Sequence, residues 1–288
     1  MRLVLQSRAI TVAHLTHIHR LIGGNTQFMQ IAEHAYYLAI QSTSKPMDVS
    51  PIDVLKVQTF CSEQKIDCAL VPDAQRLHHF GLCVMDMDST LINIECIDEI
   101  ADMMGIKAQV SAITESSMRG EIDFAQSLKA RVALLKGLPE IKLQQVIIER
   151  LQANPGAALW IAACKLHNIK TMLVSGGFTL FAEHVKTMLG LDYAVANTLE
   201  IVDGKLTGHI LGDIVDAERK AQELVALRDK LGLKADQTIA IGDGANDLNM
   251  MAVATVGVAY HAKAIVQNKA TYALNYSGLD GVINLFTA

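Results

Sequence analysis

Three apolar runs in the sequence each end in polar side chains of the kinds that bind metal ions and anions. The runs are GLCVM, TMLV and TIAIG. The polar groups that follow them are Asp86 and Asp88, then Ser175, Gly176 and Gly177, then Asp243, Asn246 and Asp247. Such runs are typical of strands covered on both faces of a parallel sheet. Because ligands bind outside the carboxyl ends of these strands, neighbouring strands would bring all the groups to one crevice.

The aspartates in these groups indicate a metal site. Residues i and i+2 of an extended chain point to the same side, so Asp86 and Asp88 face one centre, and Asp243 adds a third carboxylate. Hard oxygen ligands without a nearby cysteine or histidine predict Mg²⁺ rather than Zn²⁺. An isolated Asp-x-Asp more commonly marks a turn. Here the charges follow buried strands, where a carboxylate needs a partner, and this favours the metal site.

The Ser175-Gly176-Gly177 segment indicates an anion site, because glycines allow close backbone approach and a predicted helix follows. Lys220 lies in the first turn of another predicted helix and could reach the same anion, although by itself it is typical of a surface lysine. A dinucleotide fingerprint at Gly242 is excluded, since position 247 is Asp and not Gly. The chain also lacks a GxxxxGK[ST] loop.

The elements around these groups predict an α/β fold with two units. From Gly81 onward, strands alternate with helices, which predicts a doubly wound parallel sheet. A run of helices from about 97 to 151 interrupts it. Residues 1–80 follow the order strand, helix, one or two strands, helix, strand, which predicts a small α+β module. Within it we expect a loop at 42–46 and a helix that starts at Pro51 with Ser50 as N-cap.

Composition narrows the class of protein. The 288 residues are 51% hydrophobic and 19% charged, which argues against disorder. A net charge of −5 without a basic block disfavours a nucleic-acid partner. We find no signal peptide and no run of about 18 apolar residues, so we expect no membrane association. Five cysteines without a CxxC pair suit a reducing cytoplasm.

The ordered motifs resemble those of the haloacid dehalogenase superfamily, and most closely those of its phosphoserine phosphatases. The matching segments are DMDSTLINIECIDEIA, MRGEIDFAQSLKARVALLKG, LVSGGF, the lysine of DAERKAQ, and IGDGANDLNMM. They cover about residues 81–280. The resemblance implies a Rossmann-like domain over 81–288 with a helical cap inserted at about 95–153. Residues 1–80 resemble the ferredoxin-like ACT domains, which often bind amino acids or mediate dimers, so a homodimer is a further expectation.

The resemblance also implies a reaction: Mg²⁺-dependent hydrolysis of O-phospho-L-serine through an aspartyl-phosphate, the last step of serine biosynthesis. Asp86 would be the nucleophile, and Asp88 the general acid and then the base. The acid role requires a protonated Asp88, which burial and nearby carboxylates favour and a metal opposes. The metal ligands would be Asp86, the Asp88 carbonyl and Asp243, supported by Asp247. The phosphate would be held by Ser175, Gly176, Gly177, Lys220 and Asn246.

Four further residues would select the substrate. By the resemblance, Glu95 would bind its ammonium and Arg131 its carboxylate, while Met118 and Phe124 would shield the site from water. Two other functions stay open. The protein could be another small-molecule phosphatase or phosphotransferase of the same superfamily, for which Glu95 and Arg131 would have no partner. It could also be a non-catalytic amino-acid sensor, against which the intact aspartates argue.

Overall fold

The computed structural model describes residues 1–22, 27–40 and 51–287, and only the backbone of residues 51–53. The loop expected at 42–46 and the N-cap Ser50 lie outside the described residues. Within the described ranges, no helix combines the length and the apolar character needed to cross a membrane.

The N-terminal part is a four-stranded antiparallel sheet with two helices. Its elements are β1 (Arg2–Gln6), α1 (Val12–Ile22), β2 (Met29–Ala32), β3 (Ala35–Ala39), α2 (Pro51–Glu63) and β4 (Asp67–Val71). The strand order β2-β3-β1-β4 is the expected ferredoxin-like arrangement, and the part predicted as one or two strands is a hairpin of β2 and β3. Alternation along β1 explains the packing: Leu3 and Leu5 join the core with the helices, whereas Val4 joins the core of the larger part.

The larger part is built on a seven-stranded sheet, mostly parallel. Its strands are β5 (Leu82–Met85), β6 (Lys170–Phe178), β7 (Tyr193–Val202), β8 (Lys205–Leu211), β9 (Thr238–Gly242), β10 (Val256–Tyr260) and β11 (Tyr272–Leu274). The order is β11-β10-β9-β5-β6-β7-β8, and only β7 and β8 are antiparallel. Asp203 and Gly204 both have positive φ at the tip of that hairpin, as its tight turn requires. The doubly wound fold predicted from the sequence is confirmed.

The position of β5 explains why the functional groups meet. The strand lies between β6 and β9 and runs parallel to both. The chain places β6, β7 and β8 on one side of β5 and then crosses over to place β9, β10 and β11 on the other side. The strand order therefore reverses at β5. Such a switch point opens a crevice at the carboxyl ends of the strands. The polar ends of β5, β6 and β9 therefore share one crevice.

Helices cover both faces of the sheet and form a cap over its carboxyl edge. The cap helices are α3 (Cys96–Met103), α4 (Lys107–Met118), α5 (Phe124–Ala133) and α6 (Ile141–Arg150). The other helices are α7 (Ala157–Leu166), α8 (Thr179–Leu189), α9 (Ala217–Lys230), α10 (Leu248–Val253) and α11 (Ala264–Gln267). Short 3₁₀ turns occupy Leu77–His79, Ala235–Gln237, Ala245–Asp247 and Leu279–Leu285.

Both chain segments that lead to the cap are tied together just beyond β5. Ile92 on the outgoing segment forms an antiparallel bridge with Ala153 on the returning one. The Asn154 amide donates hydrogen bonds to the carbonyls of Ser89, Thr90 and Ile92, at 3.3, 2.8 and 3.0 Å. The two ends of the cap are therefore tied together beside the end of the central strand. The cap is also attached to the β7–β8 hairpin, where the Gly137 N–H donates to the Leu206 carbonyl at 2.8 Å.

Candidate active site

The crevice beneath the cap is a cavity of about 130 Å³. This volume is below the range typical of drug-sized ligand pockets and suits a small substrate. Ten of the residues predicted from the sequence line it, namely Asp86, Asp88, Glu95, Phe124, Arg131, Ser175, Gly176, Gly177, Asp243 and Asn246. Three apolar residues that sequence reasoning missed line it as well: Ile97, Leu128 and Phe178.

The Asp86 carboxylate is held at the floor of this cavity. The Asp86 backbone N–H donates a hydrogen bond to the Ile241 carbonyl at 3.0 Å. This bond extends the pairing of β5 with β9 by one residue. Oδ1 accepts hydrogen bonds from the Met87 N–H at 2.7 Å and from Lys220 Nζ at 2.8 Å. Oδ2 lies 3.5 Å from the Asn246 amide nitrogen. These contacts leave Oδ2 as the less occupied oxygen, facing the cavity residue Asn246.

Lys220 lies behind the cavity as a buried ammonium between two carboxylates. Its side chain is 1% exposed, and Nζ lies 2.8 Å from both Asp86 Oδ1 and Asp247 Oδ1. Burial lowers the pKa of Lys220, but Asp247 and Asp86 outweigh it and raise the pKa above its ordinary value. Asp247 also accepts the Gly244 N–H at 3.1 Å. The lysine is therefore charged and fixed, unlike the surface lysine that its position alone would suggest.

Three carboxylates converge next to this lysine. Oxygen atoms of Asp86, Asp243 and Asp247 all lie within 4.8 Å of one another. Burial, followed by the charge of Asp86, raises the pKa of Asp243 and of Asp247 to about 7. One ammonium cannot neutralise three carboxylates. The surplus negative charge and the hard oxygen donors therefore fit a metal cation.

The Asp88 side chain lies outside the three-carboxylate cluster, beside the Ser-Gly-Gly segment. Its Oδ1 accepts the Cys96 N–H at 3.3 Å. Burial and then the charge of Glu95 raise the pKa of Asp88 well above its ordinary value, and Asp86 adds to the shift. In the protein alone, the factors that favour a protonated Asp88 therefore prevail.

Glycine at position 177 is required by close packing. A Cβ atom there would lie 2.9 Å from both Asp88 Oδ2 and the Met87 terminal methyl. The Gly177 N–H donates to Ser175 Oγ at 2.9 Å, within the carboxyl-terminal end of β6. The small residues thus bring main-chain atoms next to the acidic groups. The anion site expected here from the sequence stays a prediction.

Asn197 holds this segment in place and was missed from the sequence. The side chain is buried, and its Nδ2 donates to the Gly176 carbonyl at 2.8 Å. Its Oδ1 accepts the Val215 N–H at 2.8 Å. Asn197 therefore ties the end of β6 to the segment before α9, and α9 carries Lys220. An asparagine within a strand offers no local signal of such a role.

The cap side of the cavity carries one acidic and one basic side chain. Glu95 Oε1 accepts a hydrogen bond from Ser89 Oγ at 2.7 Å, and burial raises the pKa of Glu95. Arg131 makes a 3.4 Å hydrogen bond from Nε to the Ser127 carbonyl. Burial lowers its pKa, and no carboxylate of a described residue lies within 4.0 Å of it. The two charged groups therefore face the cavity without pairing with each other.

Of the two apolar cap residues predicted from the sequence, only Phe124 reaches the cavity. It begins α5, where Asp123 and Gln126 form a reciprocal capping box at the helix start, and its ring lies against Gly176. Met118 is the last residue of α4 and is 67% exposed. It is not among the described residues that line the cavity.

Comparisons with known proteins agree with this geometry. The family of haloacid dehalogenase-like hydrolases matches residues 83–252. A phosphoserine phosphatase of Polaromonas sp. is 48% identical over 246 residues, covering 84% of this chain and 99% of that protein. The unliganded structure of a probable phosphoserine phosphatase from Vibrio cholerae superposes with a TM-score of 0.83 at 38% identity, over 99% of this chain and 85% of that one. A substrate-bound phosphoserine phosphatase complex gives 0.68 at 38% identity, over 72% and 99%.

Proposed function

Since this chain belongs to the haloacid dehalogenase-like hydrolases, we propose that it hydrolyses O-phospho-L-serine to L-serine and phosphate. The observation that carries this proposal is the lining of one small cavity. Asp86 lies at its sheet side, and the oppositely charged Glu95 and Arg131 lie at its cap side. A phosphomonoester of an amino acid offers a phosphate to the first side and both an ammonium and a carboxylate to the second. The relatives named phosphoserine phosphatase support the same substrate.

In the first step, an Asp86 carboxylate oxygen attacks phosphorus. A bond forms between this oxygen and phosphorus, and the bond from phosphorus to the serine oxygen breaks. Asp88 gives its proton to the departing serine oxygen. The raised pKa of Asp88 supports this role, because a carboxylic acid with an ordinary pKa would already be ionised. An aspartyl-phosphate and free L-serine result.

In the second step, water attacks phosphorus and the bond to Asp86 breaks. Asp88 is now a carboxylate and takes the proton from the water, so one residue serves as acid and then as base. Phosphate leaves, and Asp86 regains its carboxylate. Asp88 lies beside Gly177 and lines the same cavity as Asp86, which supports both proton transfers.

The phosphate would be held by groups that the fold has already oriented. Lys220 is buried and charged, Ser175 is buried, and Asn246 lies beside the free oxygen of Asp86. The amides of Gly176 and Gly177 complete the set. Such preorganised donors stabilise the charge that spreads over the phosphoryl oxygens in the transition state.

Asp86, Asp243 and Asp247, together with the Asp88 carbonyl, would hold Mg²⁺. When bound, this ion neutralises charge on the phosphate and on the nucleophile. Loss of activity after chelation and its return with Mg²⁺, but not with Ca²⁺, would support this assignment.

The cap would select the substrate and exclude water. Glu95 would bind the ammonium and Arg131 the carboxylate, with Phe124 covering the phosphate site. Met118, exposed here, would reach the site only if the cap over about 95–153 moved, as lids of this type do during catalysis. The division into a module at 1–80 and a catalytic domain at 81–288 remains a prediction alongside these roles.

The deciding experiment compares phosphate release from O-phospho-L-serine, phosphoglycolate and glucose 6-phosphate with Mg²⁺, with Asp86→Asn as control. We expect a strong preference for phosphoserine that Asp86→Asn abolishes. Activity on the other esters alone would keep the reaction and overturn the roles of Glu95 and Arg131. Serine binding without phosphate release from any ester would favour the amino-acid sensor instead.

Assembly and location complete the proposal. All five cysteines are unpaired, which suits the reducing cytoplasm.

All four residues of the edge strand β2 are exposed. An open strand edge can pair with a second copy, so we expect a homodimer, which light scattering after size-exclusion chromatography would test.

A further inference from the structure

A second cavity of about 360 Å³ lies between the N-terminal part and the large sheet. The described residues that line it are Arg8, Ser89, Asn93, Asn154, Pro155, Tyr260, His261, Tyr276, Ser277 and Gly278. None of them lines the catalytic cavity. Arg8 follows β1, and Tyr260 ends β10, so the walls come from both parts of the chain. The roles proposed above do not use this cavity.

The charge of this cavity differs from that of the chain as a whole. The protein carries a net charge of −5, yet none of the described residues that line the cavity has a carboxylate. Arg8 contributes a guanidinium group, and no acidic group of a described residue lies within 4.0 Å of it. Asp67 and Asp280 lie near enough to act on Tyr260, but neither lines the cavity. A concave site whose only charged lining group among the described residues is a cation attracts a small anion.

Hydrogen-bond donors in the cavity are left without partners. Tyr260 is only 3% exposed, yet its hydroxyl reaches solvent and makes no hydrogen bond to a described residue, so it is free to donate to a ligand. Burial, then Asp280 and Asp67, raise the pKa of Tyr260 to about 12, so the phenol keeps its proton. Asn93 uses its Oδ1 to accept the Gln152 N–H at 3.0 Å, which leaves its amide nitrogen free to donate.

We propose that this cavity binds a small oxyanion, either a carboxylate or a phosphate, through Arg8, Tyr260 and Asn93. A guanidinium group and two neutral donors are the set that such an oxyanion requires. The site is separate from the catalytic cavity and goes beyond the phosphatase reaction. The proposed site also gives a function to the contact between the N-terminal part and the larger part.

Two wall residues connect this site to the cap. Asn154 donates hydrogen bonds to the carbonyls of Ser89, Thr90 and Ile92, where the chain leaves for the cap. Ser89 in turn donates to Glu95 Oε1 at 2.7 Å. Because Ser89 and Asn154 line the cavity beside the proposed anion ligands, an anion that also accepted the Ser89 hydroxyl proton would compete with Glu95 for it. We expect a bound anion to alter the KM for phosphoserine, and this consequence rests on the proposed function.

Binding is tested without reference to catalysis. Isothermal titration on the full-length chain, metal-depleted and then freed of chelator, uses inorganic phosphate, citrate and L-serine as separate probes. The phosphate and carboxylate arms distinguish the two kinds of oxyanion. We expect at least one probe to bind once per chain, and Arg8→Ala to weaken it at least about tenfold, equivalent to ~1.4 kcal/mol. Tyr260→Phe should weaken it several-fold.

Two controls make the result specific. Arg20→Ala removes an exposed arginine from α1, outside the cavity lining, and should leave binding unchanged. Ser175→Ala alters the catalytic cavity, so any phosphate binding that it removes belongs to that cavity, and it should leave binding at the Arg8 site unchanged. The proposal is overturned if no probe binds, or if Arg8→Ala leaves the binding of every probe unchanged. Phosphate release by Arg8→Ala without added anion should equal that of the unmodified protein, so failure of this site and failure of the phosphatase assignment are distinguishable.

Discussion

Ser89 donates a 2.7 Å hydrogen bond from its hydroxyl to Glu95 Oε1. Ser89 holds a left-handed backbone conformation, with φ at +56°, at the turn that follows Asp86 and Asp88. The turn that presents the proposed catalytic carboxylates therefore also orients the carboxylate proposed to bind the substrate ammonium.

Replacing Ser89 with Ala should impair substrate selection without impairing the reaction. Loss of a hydrogen bond of about 1 kcal/mol should raise the KM for phosphoserine about fivefold. kcat/KM for p-nitrophenyl phosphate, which lacks the ammonium, should stay unchanged. Steady-state kinetics on both esters measures the difference. Ser116→Ala removes a similar 2.7 Å bond to the exposed Glu121 on the cap and serves as control. Equal losses on both esters would contradict the orienting role.

Arg131→Gln should impair phosphoserine hydrolysis more than Ser89→Ala does, again with little effect on other phosphate esters. Hydrogen bonds to a charged group contribute about 1.5–3 kcal/mol, so kcat/KM for phosphoserine should fall about ten- to a hundredfold. A phosphate ester without a carboxylate should be affected far less. Lys129→Gln removes a positive charge from an exposed position of the same helix and should change neither substrate. A comparable loss in both variants would mean that only the net charge of α5 matters.

Asp88→Asn should separate the two steps of the reaction. Without the acid, turnover of phosphoserine should fall about 10²- to 10⁴-fold. p-Nitrophenyl phosphate has a leaving group that departs without a proton, so its first step should persist while hydrolysis of the aspartyl-phosphate is slow. Rapid-mixing kinetics should then show a burst of p-nitrophenol of one equivalent or less per chain. Full steady-state turnover of p-nitrophenyl phosphate would exclude Asp88 as the base.

Asn197→Ala should weaken both the fold and the phosphate site. The substitution leaves the buried Gly176 carbonyl and Val215 N–H without their side-chain partner, which should lower the free energy of unfolding by about 1–3 kcal/mol. Denaturant unfolding measures this loss. KM for phosphoserine should rise in conditions where the variant is fully folded. An unchanged KM in the folded variant would limit Asn197 to a purely structural role.

Asp192 should make stability depend on pH. The carboxylate accepts hydrogen bonds from Lys170 Nζ at 2.7 Å and from the Thr171 N–H at 2.9 Å. Burial opposes these bonds, but together they lower the pKa of Asp192. An acid whose pKa is lower in the folded state stabilises the fold above its unfolded pKa of about 3.9. That contribution disappears as pH falls through the lowered pKa.

The measurement compares thermal unfolding of Asp192→Asn and the unmodified protein at several pH values. The variant should be less stable near about pH 7, and the difference should shrink toward about pH 3. Asp229→Asn, at an exposed carboxylate on α9, should show a much smaller effect. A difference that is independent of pH would mean that the hydrogen bonds matter and the charge does not.

Local patterns in the sequence were sufficient to predict the architecture and most of the residues that line the cavity. Apolar runs that end in Asp86, Ser175 and Asp243 predicted buried parallel strands with polar carboxyl ends. The sequence left open whether these strands are neighbours, and the structure shows that β5, β6 and β9 are. Asp203-Gly204, at the tip of the β7–β8 hairpin, is a dipeptide typical of tight hairpin turns. Periodicity and turn chemistry depend on residues close together in the chain, so one sequence contains them.

The groups that each side chain contacts could not be predicted from the sequence, because they depend on the tertiary structure. The sequence alone leaves Lys220 typical of a surface lysine, and its burial between Asp86 and Asp247 arises only because α9 packs against α10 and the turn at Ala245–Asp247. Asn197 lies 21 residues from the carbonyl it binds, and no local pattern marks it. Met118 matched a cap position in the sequence, yet the packing of α4 leaves it exposed.

By itself, then, the sequence determined which chemical groups this protein has and at which strand ends they lie. Tertiary structure decided which of them are buried, charged and in contact. The reason is physical: a side chain's pKa and its hydrogen bonds depend on atoms within a few ångströms in space, and at this site those atoms come from residues up to 160 positions apart, as for Asn246 and Asp86.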